Sequence, residues 1–174
     1  MSLMRAVWAG VALGLAGNVV RAEPTTLDAL QWVDRNTGDK VTLADFKGQV
    51  VVLDFFAYWC APCAPASRVI EQDIARYYAS ESGGAGAPIT VLALNVESAH
   101  TGRTDAFIKR AGISRALDDI AGATLEQLGA RSLPFLVVLD GTGESWRIAY
   151  QHNGFEGVVA LREVIDRVRT EAKR

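Results

Sequence analysis

The sequence has few cysteines and histidines, and this scarcity excludes several kinds of metal and cofactor site. Its only cysteines are Cys60 and Cys63, and its only histidines are His100 and His152. A structural zinc site takes four such ligands, and no second cysteine pair is present to complete one. Covalent haem attachment needs a histidine directly after the second cysteine, where the chain has Ala64. We therefore expect neither a bound cofactor nor a metal.

The sequence also lacks an excess of charge of either sign. It has 18 lysines and arginines against 20 aspartates and glutamates, which gives a formal net charge of −2. No run of basic residues is present, so nucleic acid is not expected as a partner. The sequence contains no internal repeat and no phosphate-binding loop, and one segment, residues 80–88, has the composition of a surface loop.

A long apolar run that could serve targeting occurs at the N-terminus alone. Arg5 precedes an apolar stretch at residues 6–20, which is rich in Ala, Gly, Val and Leu and is interrupted by Asn18. Residues 20–22 read Val-Arg-Ala, with small or aliphatic side chains at the two positions that a signal peptidase recognises. Because the stretch is short for a membrane span, a signal peptide is favoured.

We accordingly predict a signal peptide at residues 1–22, cleaved after Ala22, and one domain at residues 23–174. The alternative is an uncleaved N-terminal anchor. No cysteine lies near the cleavage site, so a lipid-modified N-terminus is excluded. Either form would place the domain outside the cytoplasm, and we expect the bacterial periplasm.

The two cysteines are three residues apart and follow an apolar run. Val50–Phe56 is apolar except for one acid, and Trp59–Cys63 reads WCAPC. At the first turn of a helix, residues three apart share one face, so Cys60 and Cys63 can close a short disulfide and reopen it. The free N–H groups and the helix dipole favour the thiolate, which is the reacting species. We expect Cys60 to be the exposed nucleophile and Cys63 the more buried resolving thiol.

A structural disulfide is the alternative, since an oxidising compartment would permit one. However, a loop closed over two intervening residues restrains the unfolded chain very little. A stabilising crosslink in a domain of this size would join distant segments. The close spacing therefore favours a redox function for the pair.

Hydrophobic periodicity predicts an alternation of strands and helices. Leu30–Val33 and Lys40–Leu43 flank a turn and are expected to form a β-hairpin. The remaining predictions are strands at 50–56, 89–96, 135–140 and 145–151, and helices at 64–78, 103–111, 122–129 and 157–170. Pro65 lies where it could kink the first helix. In the last helix the apolar residues Val158, Leu161, Ile165 and Val168 share one face.

This order of elements predicts an α/β domain. A right-handed crossover would place the strands at 50–56 and 89–96 side by side and parallel. The continuous apolar character of the first of these indicates burial on both faces. The last two strands would join the same sheet, with helices covering both of its faces.

Several segments now suggest a family. They are the lead-in Leu43–Val50, the motif Trp59–Cys63, the strand end Leu94–Val96 with an extra segment near Leu117 and Asp118, the loop Ser132–Phe135 and the turn Asp140–Gly143. From about Leu27 to Val168 the chain resembles the thioredoxin superfamily, and most closely the exported TlpA/ResA-like thiol–disulfide oxidoreductases. The resemblance implies a thioredoxin-like fold, with a central mixed sheet flanked by helices, an N-terminal β-hairpin and a TlpA/ResA-type insertion.

The resemblance also implies functions for particular residues. Cys60 matches the attacking thiol and Cys63 the resolving thiol. Pro134 matches the cis-proline that packs opposite the dithiol, and with Leu133 it would shape the groove for a substrate peptide. Trp59 would cover the rim of the site. Without the family, Pro134 would be read as a trans proline at the start of a strand and Trp59 as a core residue.

Asp54 lies six residues before Cys60, where thioredoxin carries a buried aspartate that relays the proton of the resolving cysteine. Attack by Cys63 on a mixed disulfide requires loss of its proton, which a nearby carboxylate can accept. Burial would raise the pKa of that carboxylate towards the working range. The alternative is an exposed acid on a strand edge.

Two positions depart from the closer relatives. Several of them carry a glutamate three residues after the second cysteine, where this chain has Ala66. Phe135 replaces the small polar residue that often follows the cis-proline. We therefore expect the acid that serves the dithiol to be Asp54 in the strand, as in thioredoxin, and not a glutamate in the helix.

The leading interpretation is a periplasmic thiol–disulfide oxidoreductase that exchanges electrons with a protein dithiol or disulfide. The family favours a monomeric reductant that serves cytochrome c maturation or copper-site assembly and is itself reduced by a membrane donor. One alternative is a copper metallochaperone of thioredoxin fold, which would add a distant histidine such as His100 or His152. A thiol oxidase of the DsbA kind is the other, because the residues between the cysteines do not settle the reduction potential.

Overall fold

A computed structural model describes residues 27–80, 86–97 and 101–171 of the chain. The predicted signal peptide at residues 1–22, most of the predicted surface loop and His100 lie outside the described residues. No helix among the described residues is both long enough and apolar enough to cross a membrane.

One mixed β-sheet forms the centre of the molecule. The strands are β1 (Gln31–Asp34), β2 (Lys40–Thr42), β3 (Val50–Phe56), β4 (Ile89–Asn95), β5 (Ala116–Asp118), β6 (Phe135–Asp140) and β7 (Arg147–Asn153). Their spatial order is β2-β1-β5-β4-β3-β6-β7. The N-terminal hairpin is confirmed, with Trp32 opposite Val41.

Five α-helices accompany the sheet in the described residues. They are α1 (Cys63–Ile70), α2 (Arg76–Ser80), α3 (Thr101–Ala111), α4 (Ala123–Gln127) and α5 (Val158–Glu171). A π-helical turn at Glu71–Ala75 joins α1 to α2, so the helix predicted at residues 64–78 is continuous but irregular.

Strand β3 lies inside the sheet, between β4 and β6. It runs parallel to β4, with Val50 beside Ile89, and antiparallel to β6, with Val50 beside Asp140. All seven of its residues are buried, as the apolar run predicted. Successive side chains of a strand point to opposite faces, so Val51 and Leu53 contribute to one core and Val50 and Val52 to the other.

The two faces of β3 support separate cores. On one face, the hairpin and the segment around α4 pack over Val51, Leu53 and Phe55. On the other face, α5 places Leu161, Ile165 and Val168 against the sheet, as its periodicity predicted. Helices therefore cover both faces, and the predicted fold class is confirmed.

The extra segment predicted near Leu117 and Asp118 forms strand β5, which follows α3 and pairs with both β4 and β1. A buried guanidinium fixes this region. Arg35 donates to Asp118 and to Asp105, each at 2.6 Å, and so joins β1 to β5 and α3. Asn95 also donates to Asp118, at 2.7 Å.

The structure corrects the prediction of a kink at Pro65. Helix α1 continues through this residue because Pro65 lies in the first turn, where a backbone N–H has no partner within the helix. The irregularity is instead the π-helical turn at Glu71–Ala75. The strand predicted at 145–151 also begins later than expected, at Arg147.

Candidate functional site

The two cysteines lie between the end of β3 and the start of α1. They form a disulfide with a Cα–Cα distance of 5.4 Å. The Cys63 N–H donates to the Cys60 carbonyl at 3.2 Å, and α1 begins at Cys63 with Pro62 as its N-cap. The predicted short disulfide is therefore present, but only Cys63 lies in the helix, and Cys60 lies in the turn that precedes it.

Cys60 is much less exposed than the sequence predicted. Only 5 % of Cys60 is exposed, and Cys63 has no exposure at all. Both belong to an apolar group that we call the dithiol cluster, which consists of Phe56, Ala57, Cys60, Cys63, Ala93, Phe107 and Ala111. Packing against this cluster covers most of Cys60, but Cys60 is still the more exposed cysteine of the two, in the predicted order.

Trp59 projects away from the dithiol cluster into solvent, with 59 % of its surface exposed. It lies at the rim of the site, and the alternative of a core tryptophan is excluded. Its neighbour Tyr58 is half-buried and lies 5.5 Å beneath the guanidinium of Arg103, at the start of α3. The rim thus presents aromatic surface beside Cys60.

The peptide bond between Leu133 and Pro134 is cis, as the resemblance implied. Leu133 packs against the dithiol cluster, and this contact brings the loop before β6 to the cysteines. Phe135 is buried, and its ring lies 5.6 Å from that of Phe55. The unusual residue after the cis-proline therefore packs in the core and does not enter the site.

An apolar groove of about 400 Å³ lies beside the disulfide. Pro62, Pro65 and Ala66 at the start of α1 form one wall. Leu133 and Pro134 contribute to the opposite wall, together with residues that follow β7. Ala66, which stands where several relatives carry glutamate, therefore lines an apolar wall of the groove.

Asp54 lies in the middle of β3 and is 1 % exposed. Its Oδ1 atom is buried without a hydrogen-bond partner among the described residues. Removal from water disfavours the charged form, and burial raises the pKa of the Asp54 carboxyl from its ordinary 3.8 to about 6. The alternative of an exposed acid on a strand edge is excluded.

Ser67 is a neighbour of Asp54 that the sequence analysis missed. It is 1 % exposed, and its hydroxyl, like Asp54 Oδ1, has no hydrogen-bond partner among the described residues. The hydroxyl is near enough to offset part of the rise in the Asp54 pKa. Ser67 lies four residues after Cys63, on the same face of α1, and this spacing is the signal that could have identified it.

Asn153, at the end of β7, is a second missed residue. Its side-chain oxygen accepts hydrogen bonds from the backbone N–H groups of Arg131, at 2.7 Å, and Ser132, at 3.0 Å. The next residue, Gly154, donates its N–H to the Pro134 carbonyl at 2.7 Å. Nothing in the local pattern indicates these contacts, because they join segments about twenty residues apart.

His152, one of the two candidate copper ligands, lies on β7. Its Nε2 atom is 3.5 Å from a carboxylate oxygen of Glu156. Among the residues that the structure describes, no group of three or more His, Cys, Asp and Glu side chains is arranged to hold a metal.

Comparison with known proteins identifies the family of the chain. The family model described as Redoxin matches residues 25–165 of the chain. Among solved structures, a candidate thiol:disulfide interchange protein DsbE from Chlorobium tepidum is 27 % identical, with a TM-score of 0.66, and the match covers 82 % of this chain and 94 % of that one.

Two further solved structures share the fold at lower identity. StoA from Bacillus subtilis is 20 % identical, with a TM-score of 0.59, over 83 % of this chain and 98 % of that one. A secreted disulfide oxidoreductase from Mycobacterium tuberculosis is 18 % identical, with a TM-score of 0.59, over 80 % of this chain and 93 % of that one. No curated protein sequence matches the chain.

Proposed function

The chain belongs to the Redoxin family and is a thioredoxin-like thiol–disulfide oxidoreductase, and we propose that it is an exported reductant of protein disulfides. The observation that carries this proposal is a Cys-x-x-Cys disulfide at the end of a strand that buries a carboxylate, with an apolar groove that includes a residue between the cysteines. Pro62, which lies between the two cysteines in the chain, lines the groove together with Leu133 and Pro134, and Asp54 is buried in β3, the strand that leads to the cysteines. Such a site can bind an apolar peptide segment and move a proton in the same place.

The proposed reaction uses the two thiols in sequence. In the reduced protein the Cys60 thiolate attacks a substrate disulfide, so that its Sγ forms a mixed disulfide and one substrate thiolate leaves. Cys63 then gives up its proton and attacks Cys60 Sγ, which releases the second substrate thiolate. Two electrons pass to the substrate, and the protein is left with the Cys60–Cys63 disulfide seen in the structure.

Asp54 is the proposed acceptor of the Cys63 proton. With a pKa of about 6 it is mostly ionised at neutral pH and can take up a proton during attack. The buried hydroxyl of Ser67, which interacts with Asp54 and lies four residues after Cys63 on the same face of α1, is the proposed neighbour of this proton transfer. Trp59, Leu133 and Pro134 would hold the substrate segment against the accessible sulfur of Cys60.

The charge of Asp54 also supports the proposed direction. A reduction potential rises when the thiolate form is stabilised, as in strongly oxidising members of this superfamily. A buried carboxylate near the dithiol would have the opposite effect, because its charge repels a thiolate where the dielectric constant is low. We therefore expect a low potential, which suits a reductant that a membrane thiol–disulfide donor keeps reduced.

Export is proposed from the N-terminal sequence. A charged residue, an apolar stretch and a Val-Arg-Ala site at residues 20–22 have the order of a signal peptide. If cleavage follows Ala22, the mature protein begins at Glu23, which intact-mass spectrometry of the exported protein would detect. Cytochrome c maturation and copper-site assembly are the proposed uses of the reductant.

The reduction potential of the Cys60–Cys63 couple tests the proposal directly. Equilibration against glutathione and dithiothreitol buffers should give a value near that of thioredoxin, about −270 mV. A value near that of DsbA, about −120 mV, would overturn the proposed direction and indicate an oxidase. Neither result would alter the assignment of the two thiols.

A further inference from the structure

The loop that carries the cis-proline is held by a single side chain from a distant strand. This loop runs from the end of α4 to the start of β6, and its last residues before the cis peptide are Arg131 and Ser132. The backbone N–H groups of both donate to one atom, Oδ1 of Asn153, at 2.7 and 3.0 Å. The two donors immediately before the cis peptide therefore share one acceptor.

The same point of β7 also holds the other side of the cis peptide. Asn153 is paired with Phe135 in the sheet register, and Gly154 donates its N–H to the Pro134 carbonyl at 2.7 Å. The loop is thus fixed on both sides of Leu133 by two consecutive residues at the end of one strand. β7 is the edge strand of the central sheet and pairs with β6 as far as Asn153, so its end connects the loop directly to the sheet.

The supported loop forms a wall of the groove. Leu133 and Pro134 line the groove directly, opposite Pro62 and Ala66 of α1. A displacement of the loop would change the width of the groove without touching either sulfur. A small disulfide reacts at the sulfur alone, whereas a protein segment must also lie along the groove.

We propose that Asn153 is a positioning residue, whose side-chain oxygen sets the cis-proline loop at the distance from the dithiol that a protein segment requires. The inference rests on the proposed function, since it concerns binding of a protein substrate at the same site. Its consequence is selectivity: Asn153 governs turnover of protein disulfides and leaves exchange with small disulfides unaffected.

The test compares three variants of the full chain with the wild type. Asn153→Ala removes the acceptor, Asn153→Asp retains an oxygen at the same position, and Asn153→Gln moves the oxygen along a longer side chain. Asn36→Ala is the matched control, because Asn36 is exposed in the hairpin turn at the end of the sheet remote from the dithiol. Each protein is assayed for kcat and KM with insulin, using dithiothreitol as electron source, and for its rate with glutathione disulfide.

We expect Asn153→Ala to raise KM for insulin about ten-fold, the change that corresponds to a net loss of about one hydrogen bond. The rate with glutathione disulfide and the reduction potential should stay at wild-type values. Asn153→Gln should resemble the alanine variant, whereas Asn153→Asp and Asn36→Ala should resemble the wild type. Both N–H groups lie at the surface, where water can replace the lost acceptor, so the variants should fold.

An unchanged KM for insulin in Asn153→Ala and Asn153→Gln would overturn the inference. An equal loss with insulin and with glutathione disulfide would also overturn it, because it would show general damage to the site. If the wild-type protein exchanged with glutathione disulfide but not with insulin, the proposed protein-reducing function itself would fail, and the inference with it.

Discussion

Burial decides the chemistry of Asp54. A carboxylate is rarely enclosed without a partner, because removal from water disfavours its charge. In β3, Asp54 lies between Ala93 of β4 and Leu136 of β6, and neither side chain can hydrogen-bond to it. The protein thus keeps a group that opposes its own stability at neutral pH, which is characteristic of functional residues.

Comparison of the free energies of unfolding of the wild type and the Asp54→Asn variant should measure the destabilising effect of the buried carboxylate. The folded chain binds the proton more tightly than the unfolded chain, since burial raises the pKa of Asp54 from 3.8 to about 6. As the pH rises from about 4 to about 6, the free energy of unfolding of the wild type should therefore fall relative to that of the variant, by about 3 kcal/mol in all. Above about pH 6 the difference should be constant. Urea unfolding at a series of pH values measures it.

A difference in stability between the two proteins that does not change with pH would show that Asp54 titrates normally. Comparison across pH is needed because the buried amide of the variant carries its own cost, which is independent of pH.

The same residue should affect turnover. If Asp54 accepts the Cys63 proton, Asp54→Asn should lower the rate of disulfide reduction by about 10²-fold. The inflection of the wild-type pH–rate profile near pH 6 should disappear in the variant. Stopped-flow measurement of the resolving step between pH 5 and pH 8 would show it, and an unchanged rate at neutral pH would remove Asp54 from the acid–base chemistry.

The two cysteines should differ in the products that their serine variants trap. Cys60→Ser should abolish exchange, because the accessible sulfur is lost. Cys63→Ser should accumulate a mixed disulfide between Cys60 and the substrate, since no thiol remains to resolve it. Non-reducing electrophoresis and mass spectrometry would identify the adduct. Adducts on the Cys60→Ser variant alone would reverse the assigned order of the thiols.

The helix that carries the dithiol is anchored by a buried acid at its π-helical turn. Glu71 is 5 % exposed, and its Oε2 accepts from both the backbone N–H and the hydroxyl of Ser114, each at 3.1 Å. Ser114 lies between α3 and β5. The contact therefore joins the helix that bears the dithiol to the segment that distinguishes this chain from plain thioredoxin.

We expect Glu71→Ala to destabilise the fold by about 1–3 kcal/mol, because it leaves a partly buried N–H of Ser114 without its acceptor. Glu71→Gln keeps an acceptor oxygen and should lose less. Glu163→Ala, at an exposed position of α5, is the control and should change stability by less than about 0.5 kcal/mol. Urea midpoints at constant m-value measure the differences. Equal midpoints for Glu71→Ala and the control would contradict the anchoring.

At the scale of the whole molecule, the site is assembled from four separate parts of the chain. The end of β3, the start of α1, the cis-proline loop and the end of β7 meet at one end of the sheet. This meeting follows from the topology, because β6 runs antiparallel to β3 and so begins where β3 ends. The site is therefore a product of the strand order.

We expect the protein to be a monomer. Its exposed large hydrophobic residues are scattered over separate elements, and single exposed residues of this kind are normal on a monomer. A globular domain of this size should have a radius of gyration of about 15 Å. Small-angle scattering and light scattering at micromolar concentrations would measure it, and a molar mass twice that of one chain would contradict the prediction.

Much of the fold could be predicted from the sequence because its signals are local. The apolar run of Val50–Phe56 indicated a buried strand, and the spacing of Leu161 and Ile165 indicated the buried face of α5. Pro65 was misinterpreted for a local reason, because its effect depends on its place within the helix. The sequence placed the cysteine pair in the first turn, whereas α1 begins at Cys63, so Pro65 itself lies in the first turn.

The redox pair, the order of strands and helices and the family could be recognised from the sequence, because each rests on motifs and periodic patterns formed by residues that are near one another in the chain. How little of Cys60 is exposed, how completely Asp54 is buried and what holds the loop at Pro134 were decided by the tertiary structure. Those properties depend on contacts between distant segments. Asn153 meets Ser132 across 21 positions and Glu71 meets Ser114 across 43, and a pairing of single side chains over such separations leaves no periodic pattern to read.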